Sequence, residues 1–346
     1  MTTDSFKYIK SGAASVLIDG QFGSTGKGLL AAYLAEQPQN HIDIATTNAS
    51  ANAGHWTKYA DDREDFCCFH LPTFGIVQED CQIYINAGAI INVDMLLKEM
   101  DEHNIGPERL TIHPNAAIIT DQDIEDESNI DSSTTRISST RKGVGSALAR
   151  KVWRSAELAG QNDRLKEFID VIDLNWAMNG GARVSVEVPQ GYGLSVNGPF
   201  YPYCTSRNCT VSQGLADAGI HPSFLGEVAM SVRTFPIRVG SIPNLGYSGD
   251  VYPDQHETSF EDLGVEEELT TVTKRVRRIF TWSDLQFKEA LSEIRPTLTF
   301  LNFCNYDPNY EDTIRRIRVL NEQMLPHRQH LLLGFGPNVE DVKWSK

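Results

Sequence analysis

The segment "DGQFGSTGKGLL" (19–30) surrounds Lys27 with Gly23, Gly26 and Gly28. Glycines let backbone amides approach a phosphate, a following helix N-terminus adds positive potential, and the lysine supplies a full charge. A Walker A loop would need Ser or Thr directly after the lysine to hold Mg²⁺, and this chain has Gly28 there. The segment therefore predicts an anion-binding loop other than Walker A; glycines that serve only a tight turn are the alternative.

Further along the chain, "NASANAGHWT" (48–57) presents His55 after a flexible turn. An imidazole there could donate a proton or a hydrogen bond to a transferring phosphoryl group, whereas a structural histidine is the alternative. "EVPQGYG" (187–193) reads as a strand end followed by a base-recognition element or a plain turn. "YPYCTSRN" (201–208) places aromatics beside Thr205 and indicates little by itself.

The charge of the chain limits its partners. A net charge of -15 over 346 residues disfavours nucleic-acid binding through broad phosphate neutralisation. Two basic clusters stand against this background, at 141–154 and 273–278. Such clusters favour small anionic ligands held at defined points, with solvated surface charge as the alternative.

Composition indicates a cytoplasmic protein without a membrane span. No apolar run approaches the roughly 18 residues of a transmembrane helix, and the N-terminal "MTTDSFKYIKSGAAS" has no apolar core of a signal peptide. The six cysteines form no CxxC pair and no Cys/His ligand spacing. Reduced thiols, rather than a zinc site or disulfides, are the expectation.

Short apolar runs alternate with helical patterns, which predicts an α/β fold with a largely parallel sheet and ligands at the carboxyl ends of its strands. No linker divides the chain, so one domain over 1–346 is expected. The predicted strands are 15–19, 81–86, 109–120, 182–189, 297–303 and 330–336, and the predicted helices are 93–104, 164–179, 282–294 and 310–325. After the glycine loop, Leu29, Leu30, Tyr33 and Leu34 share one helical face. The polar segment 121–146 reads as a disordered or a functional loop.

Taken in order, these segments resemble the adenylosuccinate synthetase family over nearly the whole chain. The matching motifs are Gly23-Ser24-Thr25-Gly26-Lys27-Gly28, Asn52-Ala53-Gly54-His55, "HLPTFGI" from His70, "SSTRKGVGS" from Ser138, "EVPQG" from Glu187, "YPYCTS" from Tyr201, "VTKRVRR" from Val272 and "GFGP" from Gly334. The resemblance implies a P-loop-NTPase-like α/β domain that joins L-aspartate to a purine nucleotide. A nucleoside triphosphate phosphorylates the 6-oxygen, and the aspartate amine then displaces that phosphate at C6.

The resemblance also implies roles for individual residues. Ser24, Lys27 and His55 match catalytic positions, and Ser24 and the Gly54 carbonyl match Mg²⁺ ligands. The residues that match positions contacting the nucleotide monophosphate are Ser24, Asn52, Ser139, Thr140, Arg154, Gln190, Thr205 and Arg275. The residues that match aspartate-binding positions are Val272, Thr273, Arg275 and Arg277. The residues that match triphosphate-binding positions are Gly23, Thr25, Gly26, Lys27, Gly28, Gly54, His55, Trp56, Thr57, Arg277, Asn302, Gly336 and Pro337. Arg154 matches an arginine that reaches the neighbouring subunit's nucleotide, which implies a homodimer.

Ser24 is the most informative departure from the family pattern, because it replaces the catalytic acidic residue that takes the N1 proton. A shorter, neutral side chain opens space for a 2-amino group, so guanine could replace hypoxanthine. This substitution resembles a phage branch of the family, the 2-aminoadenylosuccinate synthetases, which act on dGMP; the expected location is then the host cytoplasm. The alternatives are a synthetase acting on IMP and a non-catalytic nucleotide sensor.

The phosphate donor is expected to be ATP or dATP. The family's aspartate that accepts hydrogen bonds from the guanine of GTP falls in the segment Leu301-Asn302-Phe303-Cys304, which has no carboxylate. Unpaired guanine donors would cost about 1–3 kcal/mol. Trp56 is a second departure at the triphosphate, since the family usually has Thr after the histidine.

Overall fold

The structure is a computed structural model that describes residues 6–129, 131–270, 274–326 and 329–345. Its strands are β1 (Ala13–Asp19), β2 (Ile44–Thr47), β3 (His55–Thr57), β4 (Phe66–Cys68), β5 (Gln82–Ile85), β6 (Ile90–Ile91), β7 (Leu110–Ile112), β8 (Ala117–Ile118), β9 (Arg183–Glu187), β10 (Leu225–Arg233), β11 (Ile237–Arg238), β12 (Glu257–Thr258), β13 (Arg278–Phe280), β14 (Leu298–Asn302), β15 (His330–Gly334) and β16 (Val342–Trp344).

The α-helices are α1 (Lys27–Ala35), α2 (Thr73–Val77), α3 (Val93–Glu102), α4 (Asp121–Ser128), α5 (Ser133–Arg136), α6 (Val144–Trp153), α7 (Leu174–Asn179), α8 (Val211–Asp217), α9 (Asp284–Ile294) and α10 (Tyr310–Met324). Short 3₁₀ turns lie at Pro38–Asn40, Ala159–Gln161, Asp163–Phe168, Tyr192–Leu194, Pro222–Phe224, Cys304–Tyr306 and Val339–Asp341. Among the described helices, none is long and apolar enough to cross a membrane.

The core of the fold is a nine-stranded sheet in the order β16-β15-β14-β10-β1-β9-β2-β5-β7. Every neighbouring pair is parallel except β15 and β16, which run antiparallel. The predicted α/β class with a mostly parallel sheet is therefore confirmed. Because parallel strands end at the same edge, the loops that follow β1, β2, β9, β10, β14 and β15 meet at one side of the molecule.

Helices cover both faces of this sheet. Val16 and Ile18 of β1 pack into a core shared with α8, α9 and α10. Leu17 points the opposite way and packs with Leu30 and Leu34 of α1. A strand buried on both faces needs a continuous apolar run, which explains the sequence of β1. The predicted packing of the α1 leucines is confirmed, and complete burial of a side chain such as Leu30 contributes about 2 kcal/mol.

One predicted strand and one predicted helix were wrong. The run 109–120 forms two short strands, β7 and β8, rather than one. The predicted helix over 164–179 is a 3₁₀ turn at Asp163–Phe168 followed by the separate helix α7. The break occurs because the Asp173 side chain accepts a hydrogen bond from the Trp176 amide at 2.9 Å and starts a new helix there.

The segment 121–146 was predicted to be a loop, but it contains α4, α5 and the start of α6. A capping box between Thr120 and Asp123 begins α4. At the far end of the same helix, the buried Glu127 carboxylate accepts hydrogen bonds from the amides of Gly143, Gly145 and Ser146 at the start of α6. Polar contacts, rather than apolar periodicity, order this segment.

Candidate active site

The glycine loop, residues 20–26, connects β1 to α1 at the ligand edge of the sheet. Gly23, Ser24 and Gly26 all have positive φ, at 90°, 55° and 90°. Glycine adopts this left-handed region readily, whereas for Ser24 it costs about 1–2 kcal/mol. The Ser24 side chain is exposed, so the loop holds its one strained serine at the surface of the site.

Asp19, the last residue of β1, holds the glycine loop in shape. Its buried carboxylate accepts hydrogen bonds from the amides of Gln21 (2.8 Å), Gly23 (3.3 Å) and Thr25 (3.3 Å). The Thr25 hydroxyl donates to the same carboxylate at 2.6 Å. Asp19 was not among the predicted site residues, although a carboxylate at a strand end just before a glycine loop was a usable signal.

Lys27 begins α1 and is buried. Its Nζ donates a hydrogen bond to the Gln190 carbonyl oxygen at 2.5 Å and lies 3.9 Å from the Asp19 carboxylate. Burial lowers the pKa of Lys27, and the neighbouring carboxylate of Asp19 opposes that shift. The predicted phosphate-binding lysine is thus held between the glycine loop and the turn that follows β9.

Gln190 lies in that turn with φ 67°. Its side-chain Nε2 is buried and has no hydrogen-bond partner within the described structure. A buried amide donor without a partner is rare, because leaving it unsatisfied costs about 1–3 kcal/mol. This buried Nε2 donor is consistent with the predicted role of Gln190 in recognising a purine base, which would supply the acceptor.

His55 lies on β3, whose backbone packs directly against α1: a Cβ at Gly28 would come within 2.5 Å of the Trp56 carbonyl oxygen. The His55 ring is buried, and its Nε2 has no hydrogen-bond partner in the described residues. Burial, reinforced by the charge of Lys27, lowers the pKa of His55 to about 3. The imidazole is therefore neutral at physiological pH and suited to donating a hydrogen bond.

Glu187, at the end of β9, is a buried carboxyl group behind Lys27. It accepts a hydrogen bond from the Phe74 amide at 2.8 Å. Burial raises the pKa of Glu187 to about 7, although the hydrogen bonds from α2 and the charge of Lys27 oppose the shift. The sequence motif contained Glu187 but gave it no role.

The residues predicted to bind the nucleotide monophosphate lie on several segments around this centre. Arg275 donates from Nη2 to the Ser138 carbonyl oxygen at 3.0 Å, which places it beside the predicted contacts Ser139 and Thr140. The Thr205 amide donates to the Leu194 carbonyl oxygen at 2.9 Å, next to the Gln190 turn. Asn52 is half-buried after β2, and its Oδ1 accepts from the Ser50 hydroxyl at 2.9 Å.

Asn302, predicted to contact the triphosphate, has a buried side chain that contacts the glycine loop itself. Its Nδ2 donates to the Thr25 carbonyl oxygen at 3.3 Å, and its Oδ1 accepts from the Phe303 amide at 2.8 Å. A Cβ at Gly26 would come within 2.2 Å of that Nδ2, so Gly26 is required for this close approach. Asn302, at the end of β14, therefore supports the main chain of the glycine loop.

The remaining predicted triphosphate contacts lie at the margins of the site. Trp56 is 50% exposed, and Thr57 is buried with its hydroxyl donating to the Gly28 carbonyl oxygen at 3.4 Å. Gly54, the predicted metal ligand, is half-buried just before His55. Gly336 and Pro337 follow β15, the strand beside Asn302, and Pro337 is exposed.

Of the predicted aspartate-binding residues, Val272 and Thr273 lie outside the described residues. Arg277 is described, and its Nε lies 4.0 Å from a carboxylate oxygen of Glu268. Glu268 in turn pairs with Arg233, the last residue of β10, which also donates to the Ser24 carbonyl oxygen at 3.3 Å. Neither Glu268 nor Arg233 belongs to a predicted motif, and the strand β10, which carries Arg233, was not predicted.

Arg154 stands apart from the other predicted site residues. It ends α6 with φ 65°, and its side chain is exposed. The two preceding residues, Val152 and Trp153, are 67% and 77% exposed. The surface around Arg154 therefore includes exposed apolar side chains.

Comparison with known proteins identifies relatives over almost the full chain. The family model for adenylosuccinate synthetase matches residues 16–162 and 156–319. A curated relative from Salmonella phage PMBT28, an N6-succino-2-amino-2'-deoxyadenylate synthase, is 37% identical over 95% of this chain and 96% of its own. The enzyme of the same name from Vibrio phage phiVC8 is 36% identical over 95% of this chain and 97% of its own.

Among solved structures, the succinoaminodeoxyadenylate synthetase of cyanophage S-2L bound to dGMP and dATP as an energy donor is similar to this chain. The match has a TM-score of 0.84 at 36% identity and covers 96% of this chain and 95% of the other. A likeness of this extent shows that the two chains share one fold.

Proposed function

Because the chain belongs to the adenylosuccinate synthetase family, we propose that it is a ligase that joins L-aspartate to C6 of dGMP, with ATP or dATP as the phosphate donor. The products are N6-succino-2-amino-2'-deoxyadenylate, the nucleoside diphosphate and phosphate. The observation that carries the choice of dGMP is the exposed Ser24 at the tip of the glycine loop. A neutral, short side chain there leaves room for the 2-amino group of guanine.

The first step transfers the terminal phosphoryl group of the donor to O6 of guanine, releasing the diphosphate and the N1 proton. Lys27 supplies positive charge at that phosphoryl group, and the glycine-loop amides supply hydrogen bonds. His55, neutral because of its burial, donates a hydrogen bond to the oxygens on which charge accumulates. Gln190 holds the base through its buried Nε2.

In the second step the amine of L-aspartate attacks C6, and the phosphate leaves with the former O6. Phosphorylation is needed because the unmodified oxygen is a poor leaving group. Arg275 and Arg277 bind the anionic ligands through their guanidinium groups, which match carboxylates better than an ammonium does. Arg275 lies beside Ser138 and so serves the nucleotide as well.

The donor set suits a Mg²⁺ ion that arrives with the triphosphate. Within the described ranges no cluster of three or more His, Cys, Asp or Glu side chains could hold a metal ion by itself. Ser24 and the Gly54 carbonyl are neutral oxygen ligands, and Mg²⁺ commonly takes few protein ligands beside phosphates and water. Bound there, the ion would neutralise charge on the transferring phosphate.

A homodimer completes the site in this proposal. The exposed Arg154 would reach the 5'-phosphate bound by a second copy of the chain, and the adjoining Val152 and Trp153 would be buried at the contact. Exposed aromatic and aliphatic side chains beside an arginine are typical of an interface.

Nucleotide choice tests the proposal. Purified protein is offered dGMP, IMP or dIMP with L-aspartate and either ATP or dATP, and phosphate release and the succinylated product are measured. Turnover with dGMP that requires aspartate is expected, with a higher kcat/KM than for IMP. A clear preference for IMP would contradict the choice of substrate, and binding without turnover under every combination would indicate a nucleotide sensor.

A further inference from the structure

Arg233 is an arginine with no exposed surface, located at the carboxyl end of β10, the strand beside the central strand β1. Its main chain is fixed to the glycine loop: its amide donates to Oε1 of Gln21 at 2.9 Å, and its carbonyl oxygen accepts from Nε2 of Gln21 at 3.2 Å. A buried arginine is stabilised only when its charge is compensated, so the partners of its guanidinium define its role.

Three elements of the active site meet at this guanidinium. Nη1 donates to the Ser24 carbonyl oxygen at 3.3 Å. Both terminal nitrogens pair with the carboxylate of Glu268, at 3.0 Å and 2.5 Å. The guanidinium carbon lies 3.7 Å from the ring centroid of Phe303, the residue that follows β14. Arg233 therefore touches the glycine loop, the segment that leads to Arg277, and the segment that follows β14.

Glu268 connects this buried pair to a predicted ligand-binding arginine. Its carbonyl oxygen accepts a hydrogen bond from the Arg277 amide at 2.9 Å, and its carboxylate lies 4.0 Å from Arg277 Nε. The Arg277 side chain keeps 11% of its surface exposed, whereas Arg233 keeps none. Both terminal nitrogens of Arg233 are directed at Glu268. The group formed by Arg233, Glu268 and Arg277 therefore carries a net charge of one positive unit, and that charge lies on Arg277.

Resting on the proposed function, we infer that Arg233 is a positioning residue that neutralises Glu268 and so leaves Arg277 able to bind the anionic co-substrates, the nucleoside triphosphate and L-aspartate. Without Arg233, the Glu268 carboxylate would pair with Arg277 and the group would be electrically neutral. The predicted dGMP contacts Gln190, Thr205 and Ser139 lie outside this group of three, so dGMP binding is expected to depend little on its charge balance.

Three variants separate this charge role from a purely structural one. Arg233→Met is expected to raise KM for aspartate and for the triphosphate about tenfold, with KM for dGMP within about twofold of the wild type. Glu268→Gln is expected to leave both anion KM values equal or lower, because the group then carries two positive units. The double variant Arg233→Met/Glu268→Gln should recover most of the loss, because the unpaired carboxylate is gone.

Arg183→Met is the matched control, since Arg183 makes a similar two-pronged pair with Asp43 at the opposite end of the sheet. It should leave all three KM values unchanged. A rise in the anion KM values for Glu268→Gln, an equal rise in all three KM values for Arg233→Met, or a double variant no better than Arg233→Met would each overturn the inference.

Two measurements keep the test independent of folding and of substrate identity. If Arg233→Met does not fold, Glu268→Gln alone still decides, because a charge role and a structural role predict opposite signs. Calorimetric binding of ATP to each variant reports the anion affinity without turnover. If the wild type prefers IMP, the proposed choice of dGMP is wrong. The KM values of each variant relative to the wild type can then be measured with IMP in place of dGMP.

Discussion

The ammonium group of Lys27 and the main-chain carbonyl of Gln190 are joined by a hydrogen bond of 2.5 Å. This bond joins the first residue of α1 to the turn after β9, so one contact positions both the lysine proposed to bind phosphate and the glutamine proposed to bind the base. Asp19, 3.9 Å from the ammonium, provides the opposing charge. In the proposed reaction, this contact would fix the binding sites of the two nucleotides relative to one another.

Replacing Lys27 by Met removes the charge that faces the transferring phosphoryl group. We expect kcat to fall by about 10²–10³, because preorganised charge at the reaction centre contributes about that much. The dissociation constant of dGMP, measured by calorimetry, should change little. Lys98→Met, on the exposed face of α3, is the control and should retain wild-type kcat. Unchanged kcat in Lys27→Met would exclude the proposed role.

Replacing Gln190 by Met keeps the size and the left-handed backbone position but removes the buried amide donor. We expect KM for dGMP to rise about tenfold or more, since a lost hydrogen bond to a buried group is worth about 1–3 kcal/mol. KM for aspartate should not change. Gln122→Met, on the exposed surface of α4, serves as the control. Equal increases in both KM values would indicate general damage to the site.

Substituting Asp for Ser24 returns a carboxylate to the glycine loop. The larger, charged side chain should crowd the 2-amino group of guanine and offer an acceptor for the N1 proton of hypoxanthine. We expect the ratio of kcat/KM for dGMP to that for IMP to fall by about tenfold or more, as one steric or hydrogen-bonding contact is worth about 1–3 kcal/mol of discrimination.

Competition assays with both nucleotides in one reaction measure this ratio directly. Ser11→Asp adds the same charge near the opposite edge of the sheet and should leave the ratio unchanged. A ratio that stays constant in Ser24→Asp would show that another residue selects the base.

The sequence predicted the parts of this molecule whose signal is local. The continuous apolar run of β1, the glycines after it and the leucines of α1 each have one physical explanation, and the structure has them as expected. The strand β10 was missed because its sequence, LGEVAMSVR, has a glycine and a glutamate at its second and third positions and places the polar Ser231 and Arg233 in the interior. Such residues are tolerated only through partners distant in sequence.

The site shows the same division between local and distant information. His55 and Lys27 stand in short motifs, so the chain itself indicates them. The pairing of Arg233 with Glu268 joins residues 35 positions apart, and the contact of Arg233 with Ser24 spans 209. No local pattern encodes such contacts, and they become visible only when the strand order of the sheet brings the segments together.

The neutral state of His55 makes stability depend on pH. Because its folded pKa is about 3 and the ordinary value is 6.5, the unfolded chain binds a proton between these values and the folded chain does not. This contribution to the free energy of unfolding is present above pH 6.5 and is lost as the pH falls towards 3. Between pH 7 and pH 5 it amounts to a loss of about 2 kcal/mol.

Denaturant unfolding of the wild type and of His55→Gln at pH 5, 6 and 7 measures the contribution of neutral His55 to the free energy of unfolding. The difference in unfolding free energy between them should shrink towards pH 5, because the glutamine cannot titrate. Parallel curves for His55→Gln and the wild type would mean that His55 is not held neutral by the fold.

Arg154 provides the test of a shared active site. In a homodimer whose sites each use Arg154 from the other copy, Arg154→Leu and Lys27→Met are separately inactive for different reasons. Mixing the two after unfolding and refolding forms heterodimers in which one site has both wild-type residues. Random pairing should restore roughly a quarter of the wild-type activity.

Because Arg154 is exposed at the end of α6, its removal should not lower stability. No recovery on mixing, with both variants dimeric by light scattering, would show that Arg154 acts within its own chain.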